Sequence, residues 1–156
     1  MECSPACALQ FGTVMAKKIE ELPVFQKALE FCAAVTAILD RPGLRNDRDL
    51  WKQINDANDS IPANMREGFE QSTDAGFAKY LYHSKGSLAE VLARLQRAHS
   101  KKYISNADLK PMVAIGEELG RMLGGFIRYL ARSDFKDRGR HKLNTRKNAD
   151  SQSDEY

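Results

Sequence analysis

Four apolar stripes at helical spacing follow one another along this chain, and that succession limits the fold more than any other feature. In the first, from Pro23 to Asp40, Phe25, Ala28, Cys32, Val35 and Leu39 recur at the interval that brings side chains to one face of an α-helix. Pro23 suits a first turn, and Arg41-Pro42-Gly43 is expected to end the segment. The second opens near Asn46, a capping residue, with Asp47 and Asp49 beside the positive end of the helix. Its stripe is Leu50, Ile54, Ala57, Ile61 and Met65, and it runs to about Phe69. The third starts after Ser72 or Thr73, carries Phe77, Leu81, Ser84, Leu88, Val91 and Leu95, and ends near Lys101. The fourth opens at Ser105 or Asp108 and carries Leu109, Met112, Gly116, Leu119, Leu123, Phe126 and Leu130 to about Arg132. With Asp108 as the cap, Pro111 falls in the first turn, where its missing N–H costs little.

No alternating β-pattern of useful length interrupts this order. Connections are short, so consecutive helices are expected to lie antiparallel. The predicted fold is all-α, an antiparallel up-down-up-down four-helix bundle over residues 21–132. Residues 1–20 are expected to form a flexible N-terminal extension, with Met15 as an alternative start, and residues 133–156 a disordered charged tail.

Within the second segment, Asp59–Gly68 reads DSIPANMREG. Pro62 inside a helical pattern removes a backbone donor and crowds the preceding turn, at a cost of about 3 kcal/mol. It is expected to bend the helix and free the Asn58 carbonyl. Ser60 or Asn64 would then satisfy nearby backbone groups or lock the helix against the third segment, and a buried Asn64 would be costly to disturb. Ser84, Gly86 and Ser87 on the third segment are small, and they are read as a place of close helix approach.

The chemistry-bearing residues are sparse. Three cysteines, Cys3, Cys7 and Cys32, make no disulfide framework and no paired metal motif. None of His83, His99 and His141 follows a Glu at the spacing that di-iron bundles use. Asp56 with Asp59, and Glu67 with Glu70, are paired on one helix, but the pairs lie about 16 Å apart along it, too far for one magnesium ion. No nucleophile elbow, phosphate-binding loop or dinucleotide fingerprint is present. No apolar run approaches the roughly 20 residues that span a bilayer. No cofactor, metal or catalytic residue is therefore expected, and the cysteine usage suits a reducing cytoplasm.

The cations are more informative. Net charge is +3, a mild excess, so clustering matters more than the total. Arg94, Arg97 and Lys101 share one face of the third segment, and Arg121, Arg128 and Arg132 one face of the fourth. In an antiparallel hairpin Arg128 and Arg132 lie near the start of the third segment, beside Lys79. Such a patch suits phosphates. The competing reading is a solvated face balanced by Glu90, Glu117 and Glu118.

Ser60-Ile61-Pro62-Ala63-Asn64, followed by Glu67-Gly68, resembles the signature of the bacterial four-helix bundle proteins, some of which are encoded in intervening sequences of 23S ribosomal RNA genes. Leu22-Pro23-Val24-Phe25-Gln26-Lys27-Ala28 resembles the family's opening segment, and Phe77, Gly86-Ser87 and Glu90 its third-helix pattern. Met65-Arg66 departs from the smaller, more apolar pair usual there. The resemblance implies a bundle that assembles as a small ring-like homo-oligomer such as a pentamer, without established catalysis. A related accessory protein of diversity-generating retroelements binds nucleic acid and a reverse transcriptase. Three readings follow: a non-enzymatic homo-oligomer that binds RNA or DNA through Arg94, Arg97, Lys101, Arg121, Arg128 and Arg132; a protein-interaction scaffold without nucleic-acid binding; and, weakest, a magnesium-dependent hydrolase using Asp56, Asp59, Glu67 and Glu70.

Overall fold

The computed structural model describes residues 16–133. The extension before residue 16 and the tail after residue 133 lie outside the described residues, as do Cys3, Cys7 and His141. A 3-10 turn at Ile19–Glu21 leads into α1 (Pro23–Leu39), α2 (Pro42–Asn46), α3 (Arg48–Phe69), α4 (Asp74–Ser100) and α5 (Asn106–Arg132). No strand occurs among the described residues.

The helix boundaries follow from local chemistry. Asp47, not Asn46, caps α3: its carboxylate accepts from the Leu50 N–H at 3.2 Å. Asn46 instead closes α2, a short helix that Pro42 opens where the sequence suggested only a break. Thr73 caps α4 through the Gly76 N–H at 3.0 Å. Ser105 and Asp108 form a reciprocal capping box at α5, the hydroxyl accepting from the Asp108 N–H and the carboxylate from the Ser105 N–H. With Ser105 as the cap, Pro111 lies beyond the first turn. At the other end of α4 the chain turns through Lys102, whose φ of 61° is left-handed. The Lys102 and Tyr103 amides donate to the His99 and Ala98 carbonyls, a Schellman closure made without glycine.

α3 and α5 each pack against both α1 and α4. Along each pair the contacting residue numbers run in opposite directions. Lys101 meets Asp47 and Ser87 meets Ser60 across α4 and α3. Leu92 lies over Gly116, while Phe77 stacks edge-on against Phe126 at 5.3 Å, across α4 and α5. Lys27 pairs with Glu118 at 3.1 Å and Arg41 with Asp108 at 2.7 Å, joining the α1 end of the chain to α5.

The stripes meet in one core. Phe25, Phe31, Phe77 and Phe126 are fully buried, with Ile54, Ile61, Met65, Leu81, Leu95 and Leu119 around them. Ile19 and Leu22 extend this core past the start of α1. Burying apolar surface at roughly 25 cal/mol per Å² is the main favourable term holding such an assembly together.

Candidate nucleic-acid interface

The Pro62 segment is the hub between three helices. The helix runs unbroken through Pro62, and the Asn58 carbonyl, which proline cannot serve, accepts instead from the Cys32 thiol of α1 at 3.4 Å. Burial, with the Asp59 charge adding to it, pushes the Cys32 thiol up to about 12, so it keeps the proton it donates. The Asn58 amide returns the contact, donating to the Cys32 carbonyl at 3.2 Å and reaching Thr36 Oγ1 at 3.4 Å. Toward α4, Ser60 and Ser87 share a hydrogen bond at 2.9 Å, and Ser84 donates to the Ile61 carbonyl at 3.0 Å. Asn64 donates back to the Ser60 carbonyl and hydroxyl. Asn64 is only half-buried, so the buried amide is Asn58 rather than Asn64.

Gly68 of the same motif lies under α4. A Cβ there would stand 2.7 Å from both Phe77 and Tyr80, so glycine sets how closely α3 and α4 approach. Gly86 is different: a Cβ added there meets nothing within 4 Å, and the residue is exposed. Close approach within the chain thus explains Gly68, Ser84 and Ser87 but not Gly86.

The basic residues divide. Lys101 is held by Asp47 at 2.6 Å and sits over the Tyr103 ring, and Arg94 pairs with Glu90 at 3.2 Å. Arg97, Arg121, Arg128 and Arg132 are exposed and make no ion pair among the described residues. Arg94, Arg97 and Lys101 occupy the C-terminal end of α4, whereas Arg128 and Arg132 lie near the C-terminal end of α5, beside the first half of α4. The two arginine groups are therefore not brought together.

Arg128 instead shares the space over Gly124 with Lys85, which counting helix faces passes over. The Arg128 Nη1 and Lys85 Nζ atoms lie 3.5 Å and 3.7 Å from the point where a Gly124 Cβ would be, so two cationic heads converge above a bare stretch of α5 backbone. The signal for Lys85 was present in the sequence: neither it nor Arg128 has an Asp or Glu three or four residues away on its own helix.

The carboxylates gather into nothing comparable. Asp56 accepts from Lys52 at 2.9 Å and Asp59 from Asn55 at 3.1 Å, both along α3. Glu67 and Glu70 line an open groove with Lys17, Lys18 and Arg66. Among the described residues no group of three or more His, Cys, Asp or Glu side chains comes together as a metal site would require. His83 is exposed and His99 half-buried. No helix among the described residues is long and apolar enough to cross a membrane.

Residues 20–125 match the family described as 23S rRNA-intervening sequence protein. The chain belongs to that family. Its matched span runs from the 3-10 turn through most of α5, and so takes in Pro62, Gly68, Lys85 and Gly124 but ends before Arg128. A crystal structure of a protein of unknown function from the S23 ribosomal protein family of Bacteroides thetaiotaomicron superposes with a TM-score of 0.60 at 24% identity, covering 67% of this chain and 98% of that one. At that identity the likeness speaks for the shared all-helical fold. No curated protein matches the chain.

Proposed function

We propose that this family member is a non-enzymatic homo-oligomer that binds RNA or DNA through the basic faces of α4 and α5, on an up-down-up-down bundle. The observation that carries the reading is the set of unpaired cations. Arg97, Arg121, Arg128 and Arg132 have no carboxylate partner among the described residues, unlike Arg94 and Lys101. A cation already paired within its own chain has less to offer a phosphate, so these four residues and Lys85 carry more of the expected affinity than the other two. Self-association would multiply a modest patch by linking several copies of it. The opposed contact directions between neighbouring helices support the bundle topology.

A filter-binding titration with RNA and DNA at low salt tests the proposal. Retention that falls steeply as salt rises is expected, because each neutralised phosphate releases counterions. No retention of either nucleic acid would overturn it.

A second reading, a protein-interaction scaffold without nucleic-acid binding, draws on α4. Tyr82 is 62% exposed, one turn from the open surface at Gly86, and the pair offers a place where a helix of another copy can approach closely. Under this reading self-association survives charge reversal of the arginines. Filter binding separates the two: under this reading the wild-type chain retains neither RNA nor DNA at low salt, while sedimentation shows the same self-association before and after charge reversal of Arg121, Arg128 and Arg132.

A further inference from the structure

We propose that Lys85 and Arg128 together form a seat for one backbone phosphate of a bound nucleic acid, over Gly124 where α4 packs on α5. This rests on the nucleic-acid reading above and deepens it by naming the point of contact. The two heads come from different helices and both lie within 4 Å of one position above Gly124, where a larger residue would fill the floor. Neither has an ion pair among the described residues. The nearest acidic residue on α4 in sequence, Glu90, is engaged by Arg94, and Glu118 of α5 is engaged by Lys27.

Two like charges held over one point without a counterion repel each other, and an anion between them turns that repulsion into attraction. A guanidinium offers a fork of donors to phosphate oxygens, and an ammonium adds a point charge from the opposite wall. Gly124 is buried beneath the two side chains, but both side chains are exposed, so a phosphate within a continuous strand can reach their charged heads. Shared engagement of a single phosphate is the distinctive claim. Two independent surface cations would instead contact separate phosphates.

The test is the salt dependence of binding by the full chain to a labelled single-stranded RNA oligonucleotide too short to reach the seats of two copies at once. The variants are Lys85→Gln, Arg128→Gln, the double substitution and Lys110→Gln, whose site is exposed near the start of α5, about 27 Å from Arg128 along the helix. Single strands contribute roughly 0.7 to the log–log salt slope per neutralised phosphate. The double variant is expected to lose about 0.7 from the slope, one phosphate's worth. Each single variant is expected to lose less than that, and Lys110→Gln nothing. Lys85→Arg keeps the charge and is expected to keep the slope. All sites are on the surface, and a wild-type helical circular dichroism spectrum confirms that each variant is folded.

Wild-type binding with an unmoved slope in the double variant overturns the seat and leaves the nucleic-acid reading standing. A loss of about 1.4 in the double variant, two phosphates' worth, also overturns it, because the cations then act separately. Failure of the wild-type chain to bind removes both.

Discussion

The polar groups around Pro62 and those around Gly124 are opposites. At Pro62 the cysteine, asparagine and serines are enclosed between α1, α3 and α4 and give their hydrogens to one another or to backbone carbonyls. At Gly124 the lysine and arginine are charged, exposed and without an ion pair among the described residues. Burial makes an unpaired polar group expensive, so the interior cluster pairs all its side-chain groups but the Asn58 Oδ1, whereas solvent tolerates the unpaired exterior charges. Polarity in the first place joins three helices, and in the second it faces solvent.

The largest expected effect that would break this contrast is at Asn58. Its Oδ1 is buried without a hydrogen-bond partner, and its Nδ2 donates to the Cys32 carbonyl. Asn58→Asp puts one carboxylate oxygen where no donor exists and turns the other toward a carbonyl. An uncompensated buried charge of this kind costs about 3–5 kcal/mol, read from the urea midpoint at neutral pH. Lys85→Glu, a full charge reversal in the exposed region, is expected to move stability by no more than about 0.5 kcal/mol. Equal losses at the two sites would erase the distinction.

Next in size is Gly68→Ala. The new methyl would meet Phe77 and Tyr80 at 2.7 Å. Phe77 is wholly buried between Phe69 and Phe126, in edge-on contact with both, and has nowhere to turn. Overpacking costs about 1–3 kcal/mol, against which the better helix propensity of alanine returns up to about 1 kcal/mol. A net loss of about 1–2 kcal/mol in chemical denaturation is expected. An unchanged midpoint would mean that α3 and α4 can separate freely, and that the enclosed cluster is less rigid than its hydrogen bonds suggest.

Much of this was legible in the sequence, and the omissions have physical causes. Apolar periodicity finds a helix face because burial selects every third or fourth position, and the stripes of all four long helices are buried largely as spaced. Asn58 escaped because it is polar, although it stands four residues after Ile54 and three before Ile61, squarely on the buried face. Pro62 pointed to it as the residue whose carbonyl loses a donor, but the thiol that answers comes from another helix, and no local pattern reports that. Capping at Asn46 was misplaced for a related reason. Pro42 starts a separate short helix, so Asp47 becomes the hinge between two helices instead of a residue inside one. The convergence of Lys85 with Arg128 depends on the register of α4 against α5, which helical spacing within either segment leaves open.

Carboxylates at the helix ends form an intermediate case, half-buried but paired, and pH separates them from both regions. The Asp47 carboxyl is held below its ordinary value first by Lys101 and then by the Leu50 N–H. The Asp108 carboxyl is lowered by the Ser105 hydroxyl and N–H and then by Arg41. Because the folded values are depressed, their stabilisation is present above the unfolded carboxylate value of about 3.9 and is lost as pH falls through the folded ones. The melting temperature is expected to fall as pH drops below about 4. Asp47→Asn and Asp108→Asn should lower the neutral-pH melting temperature and make the acid fall shallower. A double variant with the full wild-type acid response would show that the two caps do not contribute.

The smallest expected effects concern exposed Gly86 of α4 and buried Gly124 of α5, and they bear on why those positions lack side chains. A Cβ at Gly86 meets nothing, and one at Gly124 makes only ordinary contacts with the ends of two flexible side chains. Neither glycine is required by the isolated fold, and in a helix interior each costs roughly 0.5–1 kcal/mol relative to alanine. Gly86→Ala and Gly124→Ala are therefore expected to raise stability by about that amount in thermal or chemical unfolding of the monomeric chain. A gain in stability accompanied by loss of self-association for Gly86→Ala, or by weaker RNA binding for Gly124→Ala, would mean that the bare backbone is kept for a partner. A loss of stability at either site would instead show that the glycine serves packing within the chain, as Gly68 does, and the contrast between the enclosed and exposed regions would narrow.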